Sequence, residues 1–472
     1  MANPQYTAGL HFIVSTPIRT LDEYDRKAIR SHATRAAVTR QRAPQLRSWI
    51  CPDRELGSLK RTVLENPSAP EPAISVSYPR RVGSDFSGLQ LPSGVESYMI
   101  QDLVRLIDLD KRGAYPYEVC LDIHLVERGW FPYMISDVCC LHSMMFLVRA
   151  FVEGALHNQL SRLARFHYAQ TLQHLQARLD ASDKTLATSD STIMVVFFLA
   201  SVAELTKDFA TVATHINGLD KIVNLRGGVK ALNTHNNIQF KVCRADLSYA
   251  LLSGHRPRLL KGFPWTCFIA HRGLINCSHQ PHDATVRAFL ETTVDTRLHN
   301  AFRDLHDFSC ISNLAYQTTR KLSPDIYNEM MISILYRLTN LSFEGDPVQE
   351  MIRIGLLTFS STLFIQRHFI EQPYDHLLHL YNNALFGLLG LTDIELPIAL
   401  LLWFTIFSLV VGCEETPLAG RLRVLLDKAL LRVSINSWHL AREILGSIMW
   451  VDFIHDRLGK QAFESAMFRL KM

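Results

Sequence analysis

Ala164-Arg165-Phe166-His167-Tyr168-Ala169-Gln170-Thr171-Leu172-Gln173-His174-Leu175-Gln176-Ala177-Arg178-Leu179 decides the fold class. Ala164, Tyr168, Leu172, Leu175 and Leu179 recur at three- and four-residue steps, the spacing that turns one side of a helix toward a core. Ile444, Ile448, Val451 and Leu458 keep the same rhythm near the end of the chain. Val223-Asn224-Leu225-Arg226-Gly227-Gly228 reads as a helix that stops at glycines, one of them in the left-handed region. No strands alternate at regular spacing, and no strand–helix–strand rhythm occurs. The expectation is an all-α fold: one large multi-helix domain over residues 98–472.

Two apolar runs test that reading. Ile193 to Ala203 is eleven residues, too short to span a bilayer. Leu396 to Cys413 is eighteen uncharged residues, but it contains Pro397 and Thr405 and is flanked by Asp393, Glu395, Glu414 and Glu415. Acids at both ends give no positive-inside bias. A helix apolar on every side is normal inside a large helical domain, so a buried central helix is expected and no membrane span.

Composition agrees. A chain of 472 residues that is 48% apolar and 20% charged is too apolar for a disordered protein and long enough to bury a large core. Nine cysteines are too sparse for a disulfide scaffold, and residues 1–20 lack the pattern of a signal peptide. The expectation is an intracellular protein with reduced thiols.

Charge is unevenly placed. Residues 1–98 hold 13 Lys/Arg against 9 Asp/Glu, while the rest of the chain holds 36 of each. A neutral body has no net field drawing it to a polyanion. The first region, residues 1–61, is basic. Thr20-Leu21-Asp22-Glu23 reads as a capping box, and Pro44 ends the helix it opens. Within this stretch Arg26, Lys27, Arg30, Arg35, Arg40, Arg42 and Arg47 form a run of seven cations without an acid. That pattern suits phosphate contact or nuclear import; the alternative is a solvated helix face. Residues 62–97 read as a Pro/Ser/Gly-rich linker, with Pro67, Pro70, Pro72, Pro79 and Pro92.

The chain carries no GxSxG, Walker A, GxGxxG after a strand, or HExxH motif. Cys277-Ser278-His279-Gln280-Pro281-His282, with His271 and Asp283 nearby, holds ligand-type side chains but matches no zinc-finger spacing. Cys139-Cys140-Leu141-His142 lies in an apolar helical stretch and reads as core. Asp108-Leu109-Asp110-Lys111-Arg112-Gly113 opens like a calcium loop but places Arg112 at the fifth position and Val119 at the twelfth, so it is rejected. No catalytic, cofactor or metal residue is assigned.

Several segments in order resemble the fungal-specific transcription factor domain, the helical regulatory region usually found after a zinc binuclear cluster. They are His167–Leu175; Asp190-Ser191-Thr192-Ile193; His215-Ile216-Asn217-Gly218-Leu219 leading to Gly227-Gly228; Arg244-Ala245-Asp246-Leu247 with Ser253-Gly254-His255-Arg256-Pro257-Arg258; Arg353-Ile354-Gly355-Leu356-Leu357; Leu402-Trp403; and Met449-Trp450-Val451 through His455-Asp456. The resemblance implies an all-α regulatory module working in the nucleus, often controlling a metabolic or secondary-metabolite gene set. It departs from the family where the zinc cluster should be: the first 98 residues contain only Cys51. DNA contact is then expected through the basic segment, and specificity through protein co-regulators or a homo- or heterodimer partner. The alternatives are a helical small-molecule-binding protein or enzyme diverged from that family, and a protein anchored at Leu396–Cys413.

Overall fold

Short polar side chains set where the helices begin. Ser161, Ser189, Asp208, Asp295, Ser323, Asp346 and Ser437 each accept a hydrogen bond from a backbone N–H in the first turn that follows. Pro324 and Pro347 occupy the first helical position after two of these caps, where a missing N–H costs nothing.

The computed structural model describes residues 95–121, 131–157, 160–232, 237–260, 265–271, 284–365, 374–389, 396–412, 419–432 and 434–471. The chain divides at Pro79/Arg80, and all described residues lie in the second unit. The basic segment at Arg26–Arg47 and all but the last residues of the linker therefore lie outside the described residues.

The helices run α1 (Ser97–Ala114), α2 (Phe131–Met134), α3 (Val138–His157), α4 (Arg162–Asp180), α5 (Asp190–Leu205) and α6 (Phe209–Leu225). After a 3-10 turn at Val229–Ala231 come α7 (Ile238–Ser253), α8 (Phe268–His271), α9 (Ala284–Thr293), α10 (Thr296–Gln317), α11 (Pro324–Asn340) and α12 (Pro347–Phe364). The last five are α13 (Asp375–Leu389), α14 (Ile398–Val410), α15 (Ala419–Arg432), α16 (Trp438–Ile448) and α17 (Asp452–Lys471). Among the described residues the only extended pairing is a single parallel bridge, Cys120 with Leu322. The fold is all-α.

Three helices are apolar nearly all round and form the centre. On α5 every residue from Thr192 to Ala200 is buried, on α12 every residue from Ile354 to Phe364, and on α14 every residue from Leu402 to Leu409. The α14 run is thus a core helix of 13 residues, and no helix among the described residues is long and apolar enough to cross a membrane. Gly355 lets α12 and α14 approach: a Cβ there would stand 2.7 Å from the Phe404 ring. Trp403 stacks on Phe407 with centroids 5.1 Å apart, and its indole N–H donates to the Met449 carbonyl at 2.7 Å. His455 accepts from the Val451 N–H at 3.2 Å, which puts its proton on Nε2, 3.0 Å from the Thr362 hydroxyl on α12.

Several sequence expectations are corrected. On α4 the buried stripe is Ala164, His167, Thr171 and Leu175, whereas Leu172 and Leu179 are about 40% exposed. A count of apolar letters alone rotated the helix, because the buried His167 and Thr171 are polar by letter but bonded in place. The rhythm from Ile444 to Leu458 belongs to two helices, since α16 stops at Ile448 and α17 starts at Asp452. Glycine ends α6 as expected, but both Gly227 and Gly228 have positive φ. Gly228 N–H bonds the Val223 carbonyl and Gly227 N–H the Asn224 carbonyl, which is a Schellman closure.

One buried charge pair joins α10 to α11. Asp304 and Arg337 have no exposed side-chain surface and meet at 2.5 Å. The carboxylate also accepts the N–H groups of Phe268 and Ile269, and the guanidinium donates to the carbonyls of Ser333 and Thr266. Removing one partner of such a pair strands a charge, which costs about 3–5 kcal/mol. Arg337→Met is expected to lower stability by that order, read by chemical denaturation or calorimetry. Asp304→Leu/Arg337→Met is expected to recover only part of the loss, because two backbone N–H groups are then orphaned at about 1–3 kcal/mol each.

Candidate ligand cleft

Two adjoining hollows meet at Phe197, Ser201 and Arg244, in the furrow between α5 and α7. The larger has about 760 Å³ of empty space, counting its solvent-facing mouth. Its walls come from α1, α3, α5, α7 and α11: Asp110, Phe151, Phe197, Phe198, Phe240 and Asn328 are representative, with Tyr115 just past the end of α1. The smaller, about 390 Å³, continues toward Glu204, Ser248 and Ile365.

Buried ion pairs and caps set these walls. Asp102 on α1, 1% exposed, meets Arg149 of α3 at 2.7 Å, and Arg149 lies 5.1 Å over the Tyr98 ring. Asp246 on α7 accepts from the backbone N–H groups of Arg258 and Leu259 and, at 2.7 Å, from the Tyr336 hydroxyl on α11. Burial holds the Asp246 carboxyl above its usual range despite these donors. This explains the spacing between Arg244-Ala245-Asp246-Leu247 and Arg256-Pro257-Arg258: the acid on the helix ties down the segment that follows it.

The polar groups of the cleft are few and fixed. Lys241 forms an ion pair with Asp110 Oδ1 and lies 5.6 Å from the Phe197 ring centre. Arg244 donates to the Gly113 carbonyl at 3.0 Å and reaches the Ile365 carbonyl at 3.5 Å. Asn328 donates to the Tyr115 hydroxyl at 2.8 Å, and burial pushes that phenol well above its ordinary range, so it stays protonated. Asp110 Oδ2 is buried and finds no hydrogen-bond partner among the described residues.

Sequence reasoning passed over this cleft. Asp110 entered it only through the rejected calcium loop, which the structure places in the last turns of α1. Lys241 and Asp110 are 131 residues apart, so no local pattern links them. One signal was available: Phe240, Lys241 and Arg244 fall on neighbouring positions of one helix face.

The other candidates fare differently. Cys277, His279, His282 and Asp283 lie outside the described residues, as do Arg26, Lys27, Arg30, Arg35, Arg40, Arg42 and Arg47. Among the described residues no three His, Cys, Asp or Glu side chains are grouped to hold a metal ion. Cys139 and Cys140 are buried core, as expected. Burial pushes the Cys139 thiol up to about 11 and Cys140 well above its usual value, so neither is a thiolate at neutral pH. His142, half-buried, joins a histidine group that the sequence did not indicate. Its Nδ1 lies 2.8 Å from Nδ1 of the fully buried His167, whose Nε2 is 3.3 Å from the Tyr98 hydroxyl, and the His174 ring stacks on His142 at 6.0 Å.

The chain matches no protein-family model, no curated protein and no solved structure.

The histidine pair predicts a pH response. Burial lowers the pKa of both rings, that of His167 to about 4. The unfolded chain takes up these protons near pH 6.5. Between pH 6.5 and about 4 the unfolded state binds more protons, so stability is full above that window and falls as the pH drops. The slope is at most about 1.4 kcal/mol per pH unit for each histidine. Thermal melts from pH 7.5 to 4.5 are expected to show a falling midpoint, and His167→Gln a shallower fall than wild type.

Proposed function

We propose that this chain is a fungal-type transcription-regulatory protein acting in the nucleus. In this reading the helical body contacts protein co-regulators or a dimer partner. The segment Arg26–Arg47 supplies nuclear import or nonspecific DNA contact, and a metabolic or secondary-metabolite gene set is the target class. One observation carries it: the segments whose order suggested the resemblance bond directly to one another or to their own flanks. Trp403 donates to Met449, Trp450 donates to Asp456 at 2.8 Å, and Asp246 holds Arg258. The electrically neutral remainder of the chain leaves the excess positive charge in the N-terminal region. A second reading, a helical small-molecule-binding protein that has left transcription, is favoured by the aromatic cleft beside Arg244.

Arg26, Lys27, Arg30 and Arg35 replaced together by Gln are expected to move a fluorescently tagged protein from nucleus to cytoplasm. In a salt series on duplex DNA, seven phosphate contacts give a logarithmic slope of about −6, falling to about −3 in the four-site variant. A cytoplasmic protein indifferent to these changes, with no salt-dependent DNA binding, overturns the nuclear reading.

A further inference from the structure

Helix α4 turns an uncharged face to solvent. Between Arg165 and Asp180 its exposed side chains are Phe166, Ala169, Leu172, Gln173, Gln176, Ala177 and Leu179. Phe166 is 49% exposed, Leu172 39% and Leu179 40%. The exposed positions of α15, by contrast, include Arg421, Arg423, Lys428 and Arg432. Aromatic, aliphatic and amide side chains without a charge among them match the core of a protein–protein contact, from which charges are depleted.

The charges stand at the ends of this stripe, and they run against the dipole of their own helix. Arg162 and Arg165 lie at the N-terminal end, where the first turn holds no acid, and Asp180 is the last residue. A helix alone prefers acids first and bases last. Arg178, in the last turn, is engaged by Asp137 at 2.5 Å, and Lys184 past the helix end bonds the Leu179 carbonyl at 2.6 Å. The Arg165 side chain has no hydrogen bond or ion pair among the described residues. Gln176 donates to the Asp180 carboxylate at 2.8 Å and so holds it beside the stripe.

A second α4 laid antiparallel answers both features. Positions equidistant from the midpoint between Leu172 and Gln173 then face each other. Arg165 meets Asp180 of the second copy, Phe166 meets Leu179, Ala169 meets Gln176, and Leu172 meets Gln173. Each pairing occurs twice, because a two-fold contact is self-complementary. Each cation also comes beside the C-terminal end of the other helix, where the macrodipole favours it.

We propose that α4 is the surface through which two copies of this chain form an antiparallel homodimer, apolar at its centre and closed by Arg165–Asp180 at both ends. It deepens the regulatory reading by naming its dimer partner, and rests on that reading only for the use to which a dimer is put. Its test reads association alone, without DNA or nuclear import, so the two can fail separately.

The experiment is sedimentation equilibrium of the full chain up to about 100 μM, since a contact built on one 19-residue helix belongs with small, transient interfaces. The mass is expected to rise with concentration from 53.8 kDa toward twice that value. Leu172→Glu sets two acids beside each other across the two-fold axis and is expected to leave a monomer. Arg165→Asp gives a second readout should that variant fail to fold. It opposes Asp180 with a like charge at two symmetric places, so association is expected to weaken at least about tenfold. Adding Asp180→Arg restores opposite charges and is expected to bring affinity back to within about threefold of wild type. Positions 165 and 180 lie about 22 Å apart along one helix, so such rescue requires contact between two copies. Both changes agree with the macrodipole, and the fold is expected to persist, as circular dichroism would show. A wild type that stays monomeric over this range overturns the proposal. So does undiminished association of folded Leu172→Glu or Arg165→Asp, or a double variant no tighter than Arg165→Asp alone.

Discussion

Arg337 and Asp304, each without exposed surface, impose the strictest condition on this fold. A charge taken out of water must be met by partners on nearly every side, or it destabilises the fold by more than its attraction returns. Here the carboxylate is met by a guanidinium and two backbone N–H groups, and the guanidinium by two further carbonyls. These contacts bring α10, α11 and the residues Thr266–Ile269 to one place. An apolar pair could slide by a few tenths of an ångström; a set of directional bonds to buried charges cannot, so this joint fixes α11 as a reference for what packs on it.

The same device recurs. Asp246 anchors the chain after α7 and reaches α11 through Tyr336, and Asp102 ties α1 to α3 through Arg149. Because α1, α3, α7 and α11 are each held by such anchors, the furrow beside α5 is not free to collapse. Collapse is what a purely apolar interface would do to lower its exposed surface. The cleft beside Arg244 therefore follows from how the helices are pinned, and its few polar groups are those that the pinning leaves inside it.

In the regulatory reading proposed above, two tasks are separated along the chain. The cleft lies in the electrically neutral part of the chain, while the positive excess lies among residues 1–98. Ligand occupancy would bear on α1 and α7, the two helices joined across the hollow by Asp110 and Lys241. A ligand alters a regulatory surface only if it binds two arrangements of those helices unequally.

The helical class, the apolar runs that became the core helices α5 and α14, the glycine stop after Leu225 and the core role of Cys139 and Cys140 were all legible in the sequence. Each depends on residues within a few turns of one another, where spacing and side-chain chemistry are enough. What the sequence misjudged was the face of α4, because His167 and Thr171 read as polar until their bonds are seen. The Asp304–Arg337 joint, the Asp110–Lys241 pair and the His142–His167 contact were decided only by the tertiary structure. A charge's partner across 33 or 131 residues is chosen by which helices pack together, and no local pattern in either helix records that choice.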